Sequence, residues 1–562
     1  MRPRQAYMLA ALVAWACGQQ GSGVETPFES GGKGASATDD AADAMGTVAE
    51  TESKGGGPGG TATTGAEQST AAEQGAASTE STAGTSDDPG TRFDVEANEG
   101  GPGVLGCDNT LPGDVTECTN RAPPDSFEPE VQWIYEGIDS LVTPMVANLT
   151  DDNADGSIDV DDIPDVVISS GMQSDDGTIH VLDGATGVLH FQIGPVAGWL
   201  SPSLGDIDAD GLPEIVTGRG SLGLGVTLHA YEHDGTLKWT GQGMFGGAYT
   251  ATALADLDND GDVEILAGDS LYDHLGNNLW TITGYGFVVT ASTAVDLDGD
   301  GDLEVTFGDK AFHHDGSPYY ETSLAPGLGI FPQIGNFDDD DDPEIVVGHQ
   351  QGVTMLEHDG TEKVSIPIAS AHGGIFPGTV HDFDGDCISE FATCSGTLYT
   401  VYRPDLSVMW SMPVKDDSGI ASGTAFDFLG DGISEAMYAD EEWMFVFNGT
   451  DGRVFFQTGR QSGTAIEYPT VADIDNDGSA EIVVVSNGGG PASPSVQVIR
   501  DKQERWIQAR RIWNQHTYHV TNVEEDGTIP QFELPNWKTL NTFRTNAQIE
   551  GGGVCRPSPP AE

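Results

Sequence analysis

The chain has 562 residues, and its 90 acidic and 22 basic residues give a formal net charge of −68 at pH 7. A surface this negative repels the phosphates of nucleic acids and the anionic face of a bilayer, so the charge excludes nucleic-acid binding and direct attachment to acidic lipids. Contact with a membrane is therefore expected only through a covalently attached lipid.

Residues 1–17 have the order of a bacterial secretory signal. Two arginines precede an apolar stretch at residues 6–16 that is too short to span a bilayer, and Cys17 follows it directly. The end of this stretch resembles a lipoprotein signal, in which Cys17 becomes the lipidated first residue; cleavage without lipidation is the alternative. Gly18 follows, which by the enterobacterial sorting rule indicates the outer membrane. We therefore expect an exported outer-membrane lipoprotein exposed at the cell surface, with a periplasmic or secreted protein as the alternative.

Residues 18–100 are predicted to be a disordered low-complexity linker. They consist mainly of Gly, Ser, Thr, Ala and Glu, with Phe28 and Phe93 as the aromatic residues, so they cannot bury a core. As a flexible coil this linker would have an end-to-end distance of about 50 Å. That length is enough to hold a folded domain clear of a membrane surface.

A cysteine-containing lead-in follows at residues 101–130. Cys107 and Cys118 flank the sequence NTLPGDVTE, whose Pro-Gly turn can bring the two thiols together. An exported location permits the bond, so we predict a Cys107–Cys118 disulfide. Cys555, in the tail at residues 551–562, is a thiol that could fold back to these N-terminal cysteines.

One acidic motif recurs eight times between residues 148 and 481. Its common pattern has oxygen-bearing side chains at positions 1, 3 and 5, a turn residue, a late acid at position 9 and then an apolar run, as in DIDADGLPEIV and DLDNDGDVEIL. The intervals between successive copies run from 40 to 58 residues. The copies begin at Asn148, Asp206, Asp256, Asp296, Asn336, Asp382, Asp427 and Asp473.

This spacing predicts calcium binding at several sites. Calcium takes six to eight oxygen ligands, and a tight turn can direct alternate side chains of a short loop onto one ion. Carboxylates grouped in one turn repel each other, which a divalent cation relieves. The longer first copy follows the offsets of an EF-hand-type loop. The predicted ligands are Asp151, Asn153, Asp155, Asp159, Asp162, Asp206, Asp208, Asp210, Glu214, Asp256, Asp258, Asp260, Glu264, Asp296, Asp298, Asp300, Glu304, Asn336, Asp338, Asp340, Glu344, Asp382, Asp384, Asp386, Glu390, Asp473, Asp475, Asp477 and Glu481.

Three copies depart from the pattern. Leu429 takes position 3 of the seventh copy, so that loop is expected to bind metal weakly or not at all. The fifth copy opens with the neutral Asn336 and places Asp341 at the turn, and Asp tolerates the left-handed backbone that a turn needs. The sixth has Cys387 at the turn. A predicted strand separates Cys387 from Cys394, which should put them beyond disulfide reach.

Between the acidic copies the sequence repeats short strands separated by Gly, Asp-Gly or Gly-Asn turns, with Trp239, Trp280 and Trp410 at matching places. A period in the forties with such strands is typical of propeller blades. We predict an all-β fold, a β-propeller of eight blades, with seven as the alternative. The segment Val131–Gly137 is expected to pair with the last blade near Gln497–Trp506, because closure by both chain ends leaves no exposed edge.

The acidic loops and the Glu-Ile-Val-Val-Gly runs after them resemble the FG-GAP/VCBS repeats of integrin α-subunit propellers and of many bacterial surface proteins. The resemblance covers roughly residues 131–550. It includes the stretch RRIWNQHTYHVTNVEEDGTIP, which is similar to a tail found with such repeats in bacteria. It implies a calcium-binding β-propeller with metal in the loop that joins the first two strands of a blade. We expect the C-terminal WNQHTYH segment to pack over the seam of the ring.

No catalytic residues are predicted. The sequence lacks a Gly-x-Ser-x-Gly motif, a phosphate-binding loop and a Cys-x-x-Cys motif, and the loop carboxylates are committed to metal. His516 and His519 do not have the spacing of a zinc-binding helix, which predicts packing at the ring closure rather than a metal pair.

Two functions of different classes remain open. The first is a tethered surface recognition or adhesion module for an extracellular protein or glycan. The second is a calcium-dependent polysaccharide lyase, which needs a basic residue to remove a proton and cations to hold the polyanion. Basic residues are few and concentrate at Arg500–Arg511, which favours binding. A spacer role in the envelope is a further alternative, and the sequence does not identify the ligand.

Overall fold

The computed structural model describes residues 115–123, 126–171, 175–222, 224–247, 249–282, 289–325, 329–338, 340–368, 377–488 and 494–560. The predicted signal with Cys17, the linker and Cys107 lie outside the described residues. No helix in the described part of the chain has the length and apolar character needed to cross a membrane.

Eight four-stranded antiparallel sheets make up the fold, and each contains one acidic loop between its first and second strands. The first four are consecutive in the chain. Blade 1 contains Met145–Ala147, Asp165–Ser170, Gly177–Asp183 and Leu189–Val196. Blade 2 contains Ser203–Gly205, Glu214–Gly220, Val226–Tyr231 and Leu237–Thr240. Blade 3 contains Thr252–Ala255, Glu264–Ala267, Ser270–Tyr272 and Asn278–Thr281. Blade 4 contains Thr293–Val295, Glu304–Thr306, Lys310–Phe312 and Pro318–Glu321.

The last four sheets end with one that both ends of the chain build. Blade 5 contains Pro332–Gly335, Glu344–His349, Gly352–Leu356 and Glu362–Pro367. Blade 6 contains Gly378–His381, Glu390–Cys394, Leu398–Tyr402 and Val408–Pro413. Blade 7 contains Gly423–Phe426, Glu435–Ala439, Trp443–Phe447 and Val454–Gly459. Blade 8 contains Thr470–Ala472, Glu481–Val485, Val496–Asp501 and, as its fourth strand, Pro129–Tyr135.

The composition of blade 8 confirms the predicted ring closure and the count of eight blades. Pro129–Tyr135 runs antiparallel to Val496–Asp501, with Val131 opposite Ile499 and Trp133 opposite Val498. The N-terminal strand therefore supplies the partner that the last blade lacks. This closure leaves neither end of the ring with an unpaired strand.

Burial decreases from the first strand of each blade to the fourth. First strands of neighbouring blades contact each other, as in blades 5 and 6, and their residues are buried. Second strands such as Glu481–Val485 are buried along their whole length because neighbouring blades cover both faces, which explains their continuous apolar runs. Fourth strands lie at the rim, where Leu237 is 51 % exposed.

Aromatic residues on the fourth strands join neighbouring blades, which accounts for the repeated tryptophans. Trp410 of blade 6 donates its indole N–H to the carbonyl of Gly449, in the third turn of blade 7, and its ring covers Gly452 there. A Cβ on Gly452 would lie 2.6 Å from that ring, and φ is +71°, so both space and backbone conformation require glycine. Trp280 of blade 3 makes the same kind of bond to the carbonyl of His314 in blade 4.

Between blade 8 and the two strands near the C-terminus, Gln548–Glu550 and Gly553–Arg556, the chain contains two 3-10 helices, Val520–Asn522 and Asn536–Lys538, and otherwise irregular backbone. It follows the inner ends of the acidic loops around the ring. Its backbone contacts blade 1 at Val146, blade 2 at Asp206, blade 6 at Val380 and blade 7 through the Thr424 hydroxyl. The predicted packing of the WNQHTYH segment is therefore confirmed at the seam, and the segment extends well beyond it.

His516 of the C-terminal segment packs against aromatic residues of the segments that lead into the blades. His516 is buried between Phe331, which precedes blade 5, and Tyr468, which precedes blade 8. The segments that enter the blades form an apolar cluster around Phe331, which includes Val142 and Ile466. Two of these entering segments, Val289–Thr290 and Gly329–Ile330, pair as a short parallel sheet.

The predicted Cys107–Cys118 disulfide is wrong, because Cys118 is bonded to Cys555 with their Cα atoms 5.1 Å apart. The reason is a three-stranded sheet in which Thr116–Glu117 runs parallel to Gly553–Arg556, next to Gln548–Glu550. This pairing places Cys118 beside the C-terminal tail. The alternative in which Cys555 folds back to an N-terminal cysteine is confirmed.

The two remaining described cysteines are not bonded to each other. Cys387 is disulfide-bonded, whereas Cys394 is free and buried in the second strand of blade 6. The expectation that the intervening strand separates them is confirmed. Cys387 has a φ of 68°, so the turn of the sixth loop does require a left-handed residue at that position.

Candidate metal centres

All eight acidic loops share one hydrogen bond that positions the late carboxylate. In each loop the backbone N–H of position 2 donates to one oxygen of that carboxylate, which directs its other oxygen towards the side chains of the loop. The donor and acceptor pairs are Leu149 and Asp165, Ile207 and Glu214, Leu257 and Glu264, Leu297 and Glu304, Phe337 and Glu344, Phe383 and Glu390, Phe428 and Glu435, and Ile474 and Glu481.

In the seven shorter loops the turn is held by side chains of the loop itself. In blade 3, Asp256 accepts hydrogen bonds from the backbone N–H groups of Asp260 and Gly261, and Asp260 accepts one from Asp262. Asn259, at position 4, has a φ of 58°, and Gly261 has a φ of 92°. Two left-handed residues therefore fold positions 1, 3 and 5 onto one side of the loop. As a result, carboxylate oxygens of Asp256, Asp258 and Asp260 lie within 4.8 Å of one another, close enough to share one metal ion.

Burial and mutual repulsion disfavour the charged forms of the late glutamates. Burial, together with the neighbouring charges of Asp258 and Asp256, raises the pKa of Glu264 to about 8. Burial, together with Asp384, raises the pKa of Glu390 to about 9. The pKa of Glu481 is raised well above its ordinary value for the same reasons. A cation among these oxygens would restore the ionised forms.

The loop of blade 8 shows that the residues fit a cation. Glu481 is fully buried, and its Oε1 atom has no hydrogen-bond partner among the described residues. The Oδ1 atom of Asp475 is buried and unpartnered in the same way, while its Oδ2 accepts a 2.6 Å hydrogen bond from Gln132. Buried carboxylate oxygens without a donor are costly, and an oxygen-seeking cation would satisfy both.

The loop of blade 7 is organised differently. Leu429 packs against an apolar cluster between blades, and its carbonyl accepts a hydrogen bond from Ala122. Asp427 accepts bonds from Asp431 and Gly432, as in the other loops. At position 3, Leu429 makes a hydrophobic contact in place of the carboxylate that the other short loops have there. This agrees with the expectation that the loop of blade 7 binds metal weakly or not at all.

The first loop has the turn of an EF-hand-type site. Asp151 accepts hydrogen bonds from the backbone N–H groups of Asp155 and Gly156, and Asp162 accepts bonds from Asp152, Asn153 and Asp159. Asp162 is 1 % exposed. These contacts bring the predicted ligands of this loop together around one turn.

The sequence interpretation missed Asp165, which takes the late position in blade 1. It is fully buried, and burial raises its pKa to about 8. His190 Nε2 lies 3.7 Å from a carboxylate oxygen of Asp165, and equally far from one of Asp152 and one of Asp183. The signal that could have found Asp165 is its place directly before the apolar run VVISS, which matches the late acid of the other copies.

The sequence interpretation also missed two lysines that enter acidic loops. Lys238 Nζ lies 2.6 Å from Asp208 and 3.0 Å from Glu214 in blade 2. Lys363 Nζ bonds Asp338 and lies 2.5 Å from Glu344 in blade 5. Both lysines come from the fourth strand of the same blade, far enough along the chain that loop spacing alone does not reveal them.

The histidines of the C-terminal segment do not form a metal pair. His516 is buried between aromatic rings, whereas His519 Nε2 lies 2.5 Å from Glu533 and its Nδ1 lies 3.1 Å from the carbonyl of Thr517. His516 contacts Tyr468, which precedes the closing blade 8, so the predicted packing at the ring closure is confirmed for His516. His519 instead packs on Phe543, whose backbone pairs with blade 6.

No family model matches the chain, and no curated protein matches it either. Among solved structures, the biofilm matrix protein Bap1 of V. cholerae is 20% identical, with a TM-score of 0.65 over 76% of this chain and 100% of that one. BamB from Moraxella catarrhalis is 12% identical, with a TM-score of 0.40 over 66% of this chain and 98% of that one. A rhamnogalacturonan lyase from Bacillus licheniformis is 13% identical, with a TM-score of 0.36 over 78% of this chain and 99% of that one. The likeness to Bap1 supports the β-propeller fold.

Proposed function

We propose that this chain is an exported, calcium-binding β-propeller of the FG-GAP/VCBS class that acts as a surface recognition or adhesion module for a protein or glycan. A lipid on Cys17 would hold it at the outer membrane. The runner-up is a calcium-dependent polysaccharide lyase. Bap1, with which the chain shares its fold, is a biofilm matrix protein, a role compatible with the proposal.

Calcium is supported by the donor set of the loops. In blades 2 and 3 the clustered ligand atoms are carboxylate oxygens. Ca²⁺ prefers oxygen ligands, whereas softer metals prefer nitrogen and sulfur. The unpartnered oxygens of Glu481 and Asp475 are the observation that carries this part of the proposal. When bound, the ion would neutralise grouped carboxylates and fix the loops between the first two strands.

The ion pairs made by the basic residues support recognition rather than polysaccharide cleavage. A lyase needs cations that are free to hold a polyanion. Many basic side chains of the described residues are instead paired with carboxylates of the same chain. These are Lys238, Lys310, Lys363, Lys415, Arg460, Arg500, Arg505, Arg510 and Arg511.

The buried packing around His516 also restricts where a ligand can bind. His516 and the cluster around Phe331 are buried and packed together, so a ligand would contact the surface loops or the rim instead. Rigid sheets that carry surface loops are well suited to recognition. A flexible tether would raise the local concentration of such a surface, so that weak contacts could act together.

The test is binding of the purified protein to glycan arrays and to intact bacterial cells in calcium and in chelator. Calcium-dependent retention is expected. In parallel, incubation with rhamnogalacturonan, pectin and alginate in calcium should leave the absorbance near 235 nm flat. A chelator-sensitive rise there would identify a lyase and overturn the recognition proposal.

The lipid anchor is tested separately, by labelling cells with a palmitate analogue. The original chain should take up label and fractionate with the outer membrane, and Cys17→Ser should do neither. Equal labelling of both forms would overturn attachment at Cys17.

A further inference from the structure

The fourth strand of every blade contains a bulge with one extra residue, and in blades 1, 2, 5 and 8 this residue contacts the acidic loop of the same blade. In blade 2 the register passes from Leu237 to Trp239, so Lys238 is the extra residue. The same shift occurs at the matching place in all eight blades. In blade order, the bulge residues are His190, Lys238, Leu279, Tyr319, Lys363, Met409, Phe455 and Gln132.

In blades 2 and 5 this residue is a lysine whose ammonium group lies among the loop oxygens. Lys238 Nζ is 2.6 Å from position 3, Asp208, and 3.0 Å from position 9, Glu214. Lys363 contacts the same two positions, Asp338 and Glu344. Calcium would bind these oxygens at about 2.3–2.6 Å. An ammonium group at hydrogen-bond distance and a metal ion cannot share them.

A glutamate accompanies each lysine. Glu232 and Glu357 both follow the third strand of their blade, and they lie 3.1 Å and 3.3 Å from the lysine Nζ of that blade. The matching residues in the other blades are Asp183, Asp273, His313, Arg403, Asn448 and Arg500. Glutamate therefore occurs at this place only in the two blades with a lysine, where it completes the surroundings of the ammonium group.

The other bulge residues carry no fixed positive charge. Leu279 in blade 3 and Met409 in blade 6 are apolar, and Gln132 in blade 8 is neutral. In blade 8, Glu481 Oε1 and Asp475 Oδ1 have no hydrogen-bond partner within the described part of the chain. In blades 2 and 5 the corresponding glutamate oxygen is bonded to lysine instead.

We propose that Lys238 and Lys363 are built-in cations that replace calcium in blades 2 and 5, so that the bulge residue decides which loops bind metal. This inference rests on the calcium binding proposed above and deepens it. Blades 2 and 5 would keep their loops folded without calcium, while blades such as 3 and 8 would depend on it.

The experiment counts calcium ions bound per chain by native mass spectrometry and equilibrium dialysis, using the full chain. Lys238→Met and Lys363→Met should each add one bound calcium, and the double variant should add two. Lys310→Met is the matched control, because Lys310 pairs with Glu321 on the rim and not with a loop. It should leave the count unchanged.

The reverse exchange in blade 3 provides a second measurement. Leu279→Lys puts a lysine at the bulge position that Lys238 holds in blade 2, where it should reach Asp258 and Glu264 with Asp273 as its companion acid. It should therefore remove one bound calcium. It should also make the chain less sensitive to chelator, as judged by its melting temperature. This variant adds a cation to a site of like-charged acids and leaves the acidic side chains of the loop unchanged.

Unchanged counts in both lysine variants and in Leu279→Lys would overturn the role of the bulge residue. The original chain and Asp258→Ala test the proposed function separately. If the original chain binds calcium and Asp258→Ala binds one ion fewer, that function stands even if the lysine variants gain nothing. If the original chain binds no calcium, the proposed calcium binding is overturned. If the lysine variants alone then bind calcium, the role of Lys238 and Lys363 as replacement cations is still supported.

Discussion

Removal of the Cys118–Cys555 disulfide should lower the free energy of unfolding by about 2–5 kcal/mol. The perturbation is the double substitution Cys118→Ser and Cys555→Ser, which leaves the bonded Cys387 and the free Cys394 unchanged. The bond fastens the short N-terminal strand Thr116–Glu117 to the C-terminal strand Gly553–Arg556. Both Cys118 and Cys555 are buried, at 3 % and 1 % exposure.

The magnitude follows from the separation of the two cysteines, which is 437 residues. The chain-entropy relation for a loop of that length gives about 6 kcal/mol at 25 °C. Measured costs for native disulfides are smaller, about 2–5 kcal/mol, because unfolded chains retain structure that already limits their freedom. We therefore expect the loss of unfolding free energy to be about 2–5 kcal/mol and not the roughly 6 kcal/mol of the chain-entropy relation.

The assay is urea denaturation followed by far-ultraviolet circular dichroism, at one fixed calcium concentration. The double variant should unfold at a lower urea concentration than the original chain. Cys394→Ala is the control for loss of a buried cysteine without loss of a disulfide. A midpoint that is unchanged in the double variant, or that falls as far in the control, would refute the reasoning.

Three further predictions concern the loops and the C-terminal segment. Chelation should lower the melting temperature, because calcium that binds only the folded state contributes about 2.7 kcal/mol of stability per site when its concentration is a hundredfold above Kd. Asp258→Ala should reduce this response to calcium, and Leu429→Ala should not. Trp513→Ala should cost about 3–5 kcal/mol in urea denaturation, because this fully buried ring packs between the C-terminal segment and blade 1. Burial lowers the pKa of His519, but the charge of Glu533 raises it by more, so the pKa of His519 is raised overall. The pair therefore stabilises the fold below about pH 6.5, and this stabilisation is lost as the pH rises through the raised pKa. Glu533→Gln should therefore lower the melting temperature more at pH 5.5 than at pH 8.5, and an equal loss at both would contradict the role of the charge.

The sequence allowed the blade count and the closure to be predicted because both depend on local repeats. Each acidic loop fixes the boundary between two strands, and each apolar run after it is long enough for one buried strand. The unpaired Val131–Gly137 segment then had one open partner, the last blade. These inferences need only periodicity and the rule that strand edges must be covered.

The cysteine pairing and the lysines could not be predicted in this way because they depend on contacts between distant segments. Cys107 was the nearest candidate partner of Cys118 in sequence, yet the parallel pairing of the two chain ends brings Cys555 there. Lys238 reaches Asp208 only because the bulge turns its side chain towards the loop. Asp165 was missed because the first loop is longer, which moved the late acid out of the common spacing.

Blade 8 also sets the order in which this chain can fold. Its strand Pro129–Tyr135 is synthesised before every other blade strand, whereas its partner Val496–Asp501 is synthesised after all the other blades. Pairing between such distant segments is slow, because the entropy of closing a long loop must be overcome first. A chain that stops before residue 496 would therefore leave open strand edges at both ends of the ring, which invites aggregation and proteolysis. For this protein, the fold can therefore be completed only after nearly the whole polypeptide has been made.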